Sequence, residues 1–517
     1  MPASPLDPHP APLTAADARH LLRRAGFGSP DARVGPLVGL SAADAARRLL
    51  GEAAAAPALV DPLWYLPTAT DSALLYTESE TILRRMLVHP VREKLVLFLH
   101  NHFATELRVY NNPAWGWLYY KLLHTNALGS FRTLVHEVGL NPAMLRYLNG
   151  DQNRRGAANQ NYARELLELF TMGQYAPEGG GALNYTETDV AEAARALTGY
   201  RTRNGAEVYL DTTRFDTGTK VVFGLAGPWA YADIVRLVFE RRREATARFM
   251  ARKLLAFYVS SVPDVAAEIA LAQILMGSAT PPADASTDFA LRPALEALFA
   301  SQHFYDAGLR GALVKGPLDA FVGLLGSLSV APDAFDANYV RSNARARGQE
   351  YLNTPDVAGW DGHNPPNASN LPGFQAWYKS DSFGPLWSVL RVLARNERGA
   401  APYTNGRAPY DALALARLGP DPNDAFRVAT AIAEHLLAVP LVLASVPALD
   451  APFAGDPNIP VPDHAQSAPR YVRDLAKLLL GTTPFYEWPG LPAAMRTERV
   501  RAYVTFLATE LPEFFLY

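Results

Sequence analysis

The stretch PVREKLVLFLHNHF, Pro90 to Phe103, decides the reading of the fold. A proline at the first helical position suits a helix start, because its missing N–H is one that the first turn leaves unpaired anyway. Leu95 to Leu99 then form an unbroken apolar run. At about 100° per residue, such a run places apolar side chains on every face, so this helix must be buried all round. The same segment ends in two histidines, His100 and His102. Two steps along a helix leave them about 160° apart, so they cannot ligate one ion together unless the helix breaks near Asn101. His100 shares its face with Glu93 and is the expected structural hydrogen-bonder. His102, beside the helix end, is the one placed to reach a cavity.

Working outward, helical signals dominate the first two hundred residues. In TAADARHLLRRAG, Thr14 is an N-cap with Asp17 three residues on, and Gly26 is a stop. SAADAARRLLG repeats that grammar from Ser41 to Gly51. The pattern changes after Gly199, where YRTRNGAEVYLD carries an Asn204-Gly205 turn between β-prone flanks. TKVVFG offers a further strand. Helical patterns resume from Pro228 and continue to the C-terminus. The expected fold is mainly α: a multi-helical single body with a small β-hairpin insert near residues 200–224. Residues 1–12 are Pro-rich and read as a flexible arm. Residues 13–395 read as the main helical domain. Residues 396–517 read as a C-terminal helical extension packed on it, beyond a boundary near 395–410.

The chain has 517 residues, 49% of them hydrophobic and 19% charged, which is globular composition. The net charge of -3 argues against nucleic-acid binding, which needs a basic face. Without cysteine there is no disulfide, Cys-ligated zinc, iron–sulfur cluster or thiol nucleophile. No apolar run reaches the roughly 18 residues of a membrane span. The start lacks the basic and apolar regions of a signal peptide.

Several polar clusters carry candidate chemistry. In NYARELLELF, Glu165 and Glu168 lie three apart on one face with Arg164. Paired carboxylates divide acid and base roles when their environments push their pKa values apart. The plainer alternative is a solvated face with an Arg164–Glu168 pair. In YTETDVAEAARALTG, Thr186 and Asp189 form a capping box, leaving Glu192 and Arg195 as a surface pair. FDTGTK places Asp216 and Lys220 in a turn, without the pattern of a phosphate-binding loop. NTPDVAGWDGHN gathers Asp356, Trp360, Asp361 and His363 in one loop, where Trp360 either stacks a sugar or anchors the loop. No G-x-S-x-G elbow or H-E-x-x-H pair is present.

Taken in order, HLLRRAGFG, REKLVLFLHNHFAT, NPAMLRYLNG, NYARELLELFTMG, YTETDVAEAARALTGY, FDTGTKVVFG, VKGPLDAFVGLLGSL and PDVAGWDG resemble the bacterial domain-of-unknown-function family number 1800, from about His20 to about Phe383. The resemblance implies an exported protein, and a sulfatase-like partner protein encoded nearby. Many members have His-Asp where this chain has Phe215-Asp216. The resulting expectation is a hydrolytic enzyme acting on a polysaccharide or other envelope-derived substrate. Its catalytic candidates are Glu165, Glu168, Asp216 and Lys220, and its substrate-binding candidates are Trp360 and Asp361. His102, Glu165 and Glu168 are candidate ligands of a divalent metal ion, which suits carboxylate and imidazole donors. The alternative is a non-catalytic helical binding or scaffold protein working with a partner.

Overall fold

Local signals set most helix starts. Thr14 accepts from the Asp17 amide while Asp17 closes the reciprocal bond, and Thr186 and Asp189 do the same. Pro90 opens the helix Pro90–His102. Gly51 does not stop its helix, which runs Ala42–Ala54, because the alanines beyond it are strong helix formers. The computed structural model describes residues 4–66, 71, 73–176, 181–277, 284, 287–360, 362, 377–378, 383–395, 397–398, 401–402, 410–439 and 452–517. The chain is mainly α-helical. Strand β1 (Tyr200–Arg203) pairs antiparallel with β2 (Glu207–Leu210), and β3 (Lys220–Val222) with β4 (Leu225–Gly227). Asn204 and Gly205 turn the first hairpin with φ of 48° and 84°, as an Asn-Gly turn requires. TKVVFG therefore starts a second hairpin and adds no strand to the first.

The chain folds into two compact units. One gathers residues 1–11, 41–304 and 344–376, and the other residues 12–40, 305–343 and 377–517.

In the first unit the Pro90–His102 helix is the core element, buried at every position from Val91 to His102. Each buried polar group it carries needs a partner. Glu93 accepts from Arg85 Nε at 2.9 Å and from the Tyr120 hydroxyl at 2.8 Å. Glu93 therefore serves Arg85 and Tyr120, not His100. Asn101 accepts the Trp360 amide at 2.8 Å. His102 Nε2 donates to the Phe170 carbonyl at 3.1 Å.

In the second unit the helix Phe383–Arg395 packs on Ala493–Glu510, and Ala425–Leu436 packs on Arg470–Leu480. Arg23 closes the C-terminal end of the Ala425–Leu436 helix, donating to the carbonyls of Glu434, His435 and Leu437 at 2.9, 2.8 and 2.7 Å. These are carbonyls that a helix end leaves unpaired.

Gly359 has φ +100°, and a Cβ there would lie 2.4 Å from the Asn101 carbonyl oxygen. Strain in the backbone and displacement of Asn101 then act together. We expect Gly359→Ala to destabilise the fold by about 1–3 kcal/mol in urea unfolding. Gly490, with open space at its Cβ position, supplies the control, and Gly490→Ala should shift the midpoint little. Equal effects of the two substitutions would show that the Asn101–Gly359 contact carries no weight.

Candidate functional site

The two histidines divide as the helix geometry requires. His100 is fully buried among aromatic rings, stacked on Trp360 at 5.2 Å and edge-on to Tyr351 and Tyr119 at 5.1 and 6.2 Å. Neither of its ring nitrogens has a hydrogen-bond partner among the described residues, where it packs as an aromatic ring and not as the hydrogen-bonder expected from sequence. Burial lowers its pKa to about 4. His102 sits among Phe98, Phe103, Phe131 and Phe249. Burial, and secondarily the Lys253 charge, lower its pKa to about 3. A carbonyl can only accept, so His102 carries its proton on Nε2 and leaves Nδ1 as the ring's lone pair.

Glu165 and Glu168 lie on the helix Asn161–Glu168, both half-buried. Arg164 does not pair with Glu168 but takes Glu187 in a two-pronged bond of 2.8 and 2.7 Å, since a fork finds better geometry on the carboxylate of the neighbouring helix. Glu168 accepts from the Tyr185 hydroxyl at 2.7 Å. Glu165 makes no hydrogen bond or ion pair with the described residues. Burial raises its pKa, and the nearby carboxylates of Glu168 and Asp356 add to the shift while Arg164 opposes it. The hydroxyl of Tyr147 is pushed up by burial and then by Glu106, Asp356 and Glu165. Glu106, Glu165 and Asp356 therefore share one neighbourhood around Tyr147, and Glu168 acts on Glu165 from the same helix. Sequence reasoning missed Glu106 and Tyr147 in this cluster. The only available signal was the position of Glu106 just past the HNH segment.

Asp216 and Lys220 form a separate constellation. Asp216 accepts from Arg195 Nε at 2.9 Å and from the Gly218 amide at 2.9 Å, and Arg195 also holds Glu192. Arg195 keeps the Asp216 carboxyl below its usual range. The side chain of Lys220 is fully buried, and its ammonium donates to the carbonyls of Asp216 and Gly218. The same ammonium lies over the Phe215 ring, 4.9 Å from its centre. The Phe215 ring thus packs against a buried cation.

Trp360 is fully buried against His100 and offers no open ring face. Its side chain packs into the core beside His100. Asp361 and His363 lie outside the described residues. Among the described residues no three His, Asp or Glu side chains come together to hold a metal ion. No described helix is long and apolar enough to cross a membrane.

Two outcomes test these assignments. Because neither His100 ring nitrogen has a well-aligned hydrogen-bond partner among the described residues, His100→Phe should keep or raise the melting temperature at pH 7. A buried imidazole with a lowered pKa favours unfolding below about pH 6.5, where the unfolded chain binds more protons. The substitution should therefore also flatten the fall in stability between pH 6.5 and about 4. A large loss at pH 7 would overturn this assignment. For Asp216 the folded pKa is depressed, so its stabilisation is present above about pH 4 and fades as the pH falls further. Asp216→Asn should lower the melting temperature at pH 7 and approach wild type near pH 3.

No curated protein and no solved structure matches the chain. One family does, described as "Protein of unknown function (DUF1800)" and matched over residues 20–514. That span covers most of both units, and the chain belongs to this family.

Proposed function

We propose that the protein is a hydrolase that cleaves a polysaccharide or related envelope-derived glycan by general acid–base chemistry at the Glu165 cluster. The observation that carries this reading is Glu165 itself. It is a half-buried carboxyl with no cation and no hydrogen-bond donor on it, raised by burial and by neighbouring carboxylates. A carboxyl whose pKa is raised holds its proton to higher pH than an ordinary glutamate and can donate it to a leaving oxygen. Glu168, held by the Tyr185 hydroxyl, then supplies the base that activates water or attacks the sugar. Four carboxylates in one neighbourhood repel anions, which favours a neutral or cationic substrate and disfavours phosphates. Asp216 and Lys220 are both committed to internal bonds, so their role here is to hold the hairpin segment. The described side chains bring together no metal-ligand set, and the reading is built on the carboxyl groups alone.

The test is release of reducing ends from a panel of neutral envelope polysaccharides. Glu165→Gln keeps the shape and removes the proton that is transferred. It should cut turnover at least about a hundredfold with the melting temperature unchanged. The wild-type rate should fall as the pH rises through the raised Glu165 value, because the acid must be protonated to act. Full turnover by Glu165→Gln would sink the proposal.

A second reading, a non-catalytic binding protein working with a partner, is favoured by one observation. Asp216 and Lys220 spend their polar atoms on internal partners, and His102 commits Nε2 to the Phe170 carbonyl. Under that reading glycan is bound but never cleaved.

A further inference from the structure

Within the second unit, a cavity of about 620 Å³ opens between the helices Ala15–Ala25, Ala425–Leu436 and Arg470–Leu480. Its walls are mostly apolar, with Ala16, Ala433, Leu437, Val439 and Leu475 among them. Three arginines, Arg19, Arg23 and Arg310, also line it. A volume of this size holds a small organic ligand.

The arginines differ in what they have left to offer. Arg23 spends its guanidinium on the three carbonyls at the end of the Ala425–Leu436 helix. Arg310 is paired with Asp17. Arg19 has no hydrogen bond or ion pair with the described residues, and its Nε is buried without a partner. A buried guanidinium nitrogen with nothing to donate to is costly, and an anion removes that cost. The crowding has a measurable sign. Burial, and then the charges of Arg19 and Arg310, push Arg23 down to about 9. Glu434 is the acidic residue among the lining groups and Asp17 is paired with Arg310, so three cations stand against two carboxylates there, an excess of one positive charge.

We propose that this cavity binds a small amphiphilic anion, its apolar body against the alanine and leucine wall and its head on Arg19. The head is a carboxylate or a phosphate monoester, since both present oxygens that match the planar guanidinium fork. Arg310 and Arg23 supply field and Arg19 supplies the direct bonds. The assignment is independent of the Glu165 cluster, which lies in the first unit.

Calorimetry on the full chain tests it with three ligands of one chain length: decanoate, decyl phosphate and decanol. One or both anions should bind in the micromolar range, and decanol should bind at least about tenfold more weakly. The better anion identifies the head. Arg19→Gln should weaken the anion about tenfold or more, the scale of a hydrogen bond to a charged group, without changing decanol binding. Ala16→Trp, at an exposed position on the cavity wall, should block all three ligands while the melting temperature holds. Equal binding of anion and alcohol would reduce the cavity to an apolar sink and overturn the proposal. So would anion binding that survives Arg19→Gln, or no binding of any ligand by a folded wild-type protein.

Discussion

The first unit depends on one constraint: a helix buried on every side can find partners for its polar groups only inside the protein. The Pro90–His102 helix carries Glu93, Asn101 and His102 into the core, and each draws in a particular segment. Asn101 fixes the amide of Trp360 and so fixes the loop that carries Asp356. His102 fixes the carbonyl of Phe170 and so fixes the end of the helix that carries Glu165 and Glu168. Immediately past the helix, Glu106 forms a bridge with Asn353, and the Leu107 amide donates to Leu352. The carboxylate cluster is thus assembled from three sequence regions by hydrogen bonds at one helix end. Removing either tether leaves a buried group unpaired, which costs about 1–3 kcal/mol and frees a wall of the cluster at once.

This arrangement gives the segment His100 to His102 a structural meaning. Its two imidazoles are uncharged rings in aromatic surroundings, and its asparagine makes the longest-range bond. The side chains that carry candidate chemistry lie one layer out, on the segments those residues hold. Glu93 and Glu165 make the contrast plain. Glu93 is more deeply buried, yet Arg85 and Tyr120 answer it, so it is structural. Glu165 is less buried, and no hydrogen-bond donor among the described residues answers its carboxyl.

Features governed by a few neighbouring residues were legible in the sequence. The capping boxes at Thr14 and Thr186, the start at Pro90, the opposed directions of His100 and His102 and the Asn204-Gly205 hairpin all follow from spacing of five residues or fewer. Pairings chosen among distant candidates were not legible. Arg164 had an acceptor four residues away and took one twenty-three residues away. Glu93 looked like the partner of His100 because helical repeat places them on one face, but Tyr120 and Arg85 reach it from other helices. Glu106 and Tyr147 join the cluster through contacts that span up to 250 residues, which no local pattern encodes. Gly51 failed as a stop signal because helix propensity on both sides outweighed the cost of one glycine.

The bond from Asn101 to Trp360 joins residues 259 positions apart. During synthesis the central helix leaves the ribosome long before its partner exists, and at typical elongation rates that interval lasts about ten seconds or more. Through that time Asn101 can only be satisfied by water, so the end of the helix must stay hydrated while its middle is already seeking apolar cover. The first unit is closed by residues 344–376, and the chain has by then also made 305–343 for the second. Folding order is therefore written into the connectivity: the last stretch made for the first unit is the one that dries its centre.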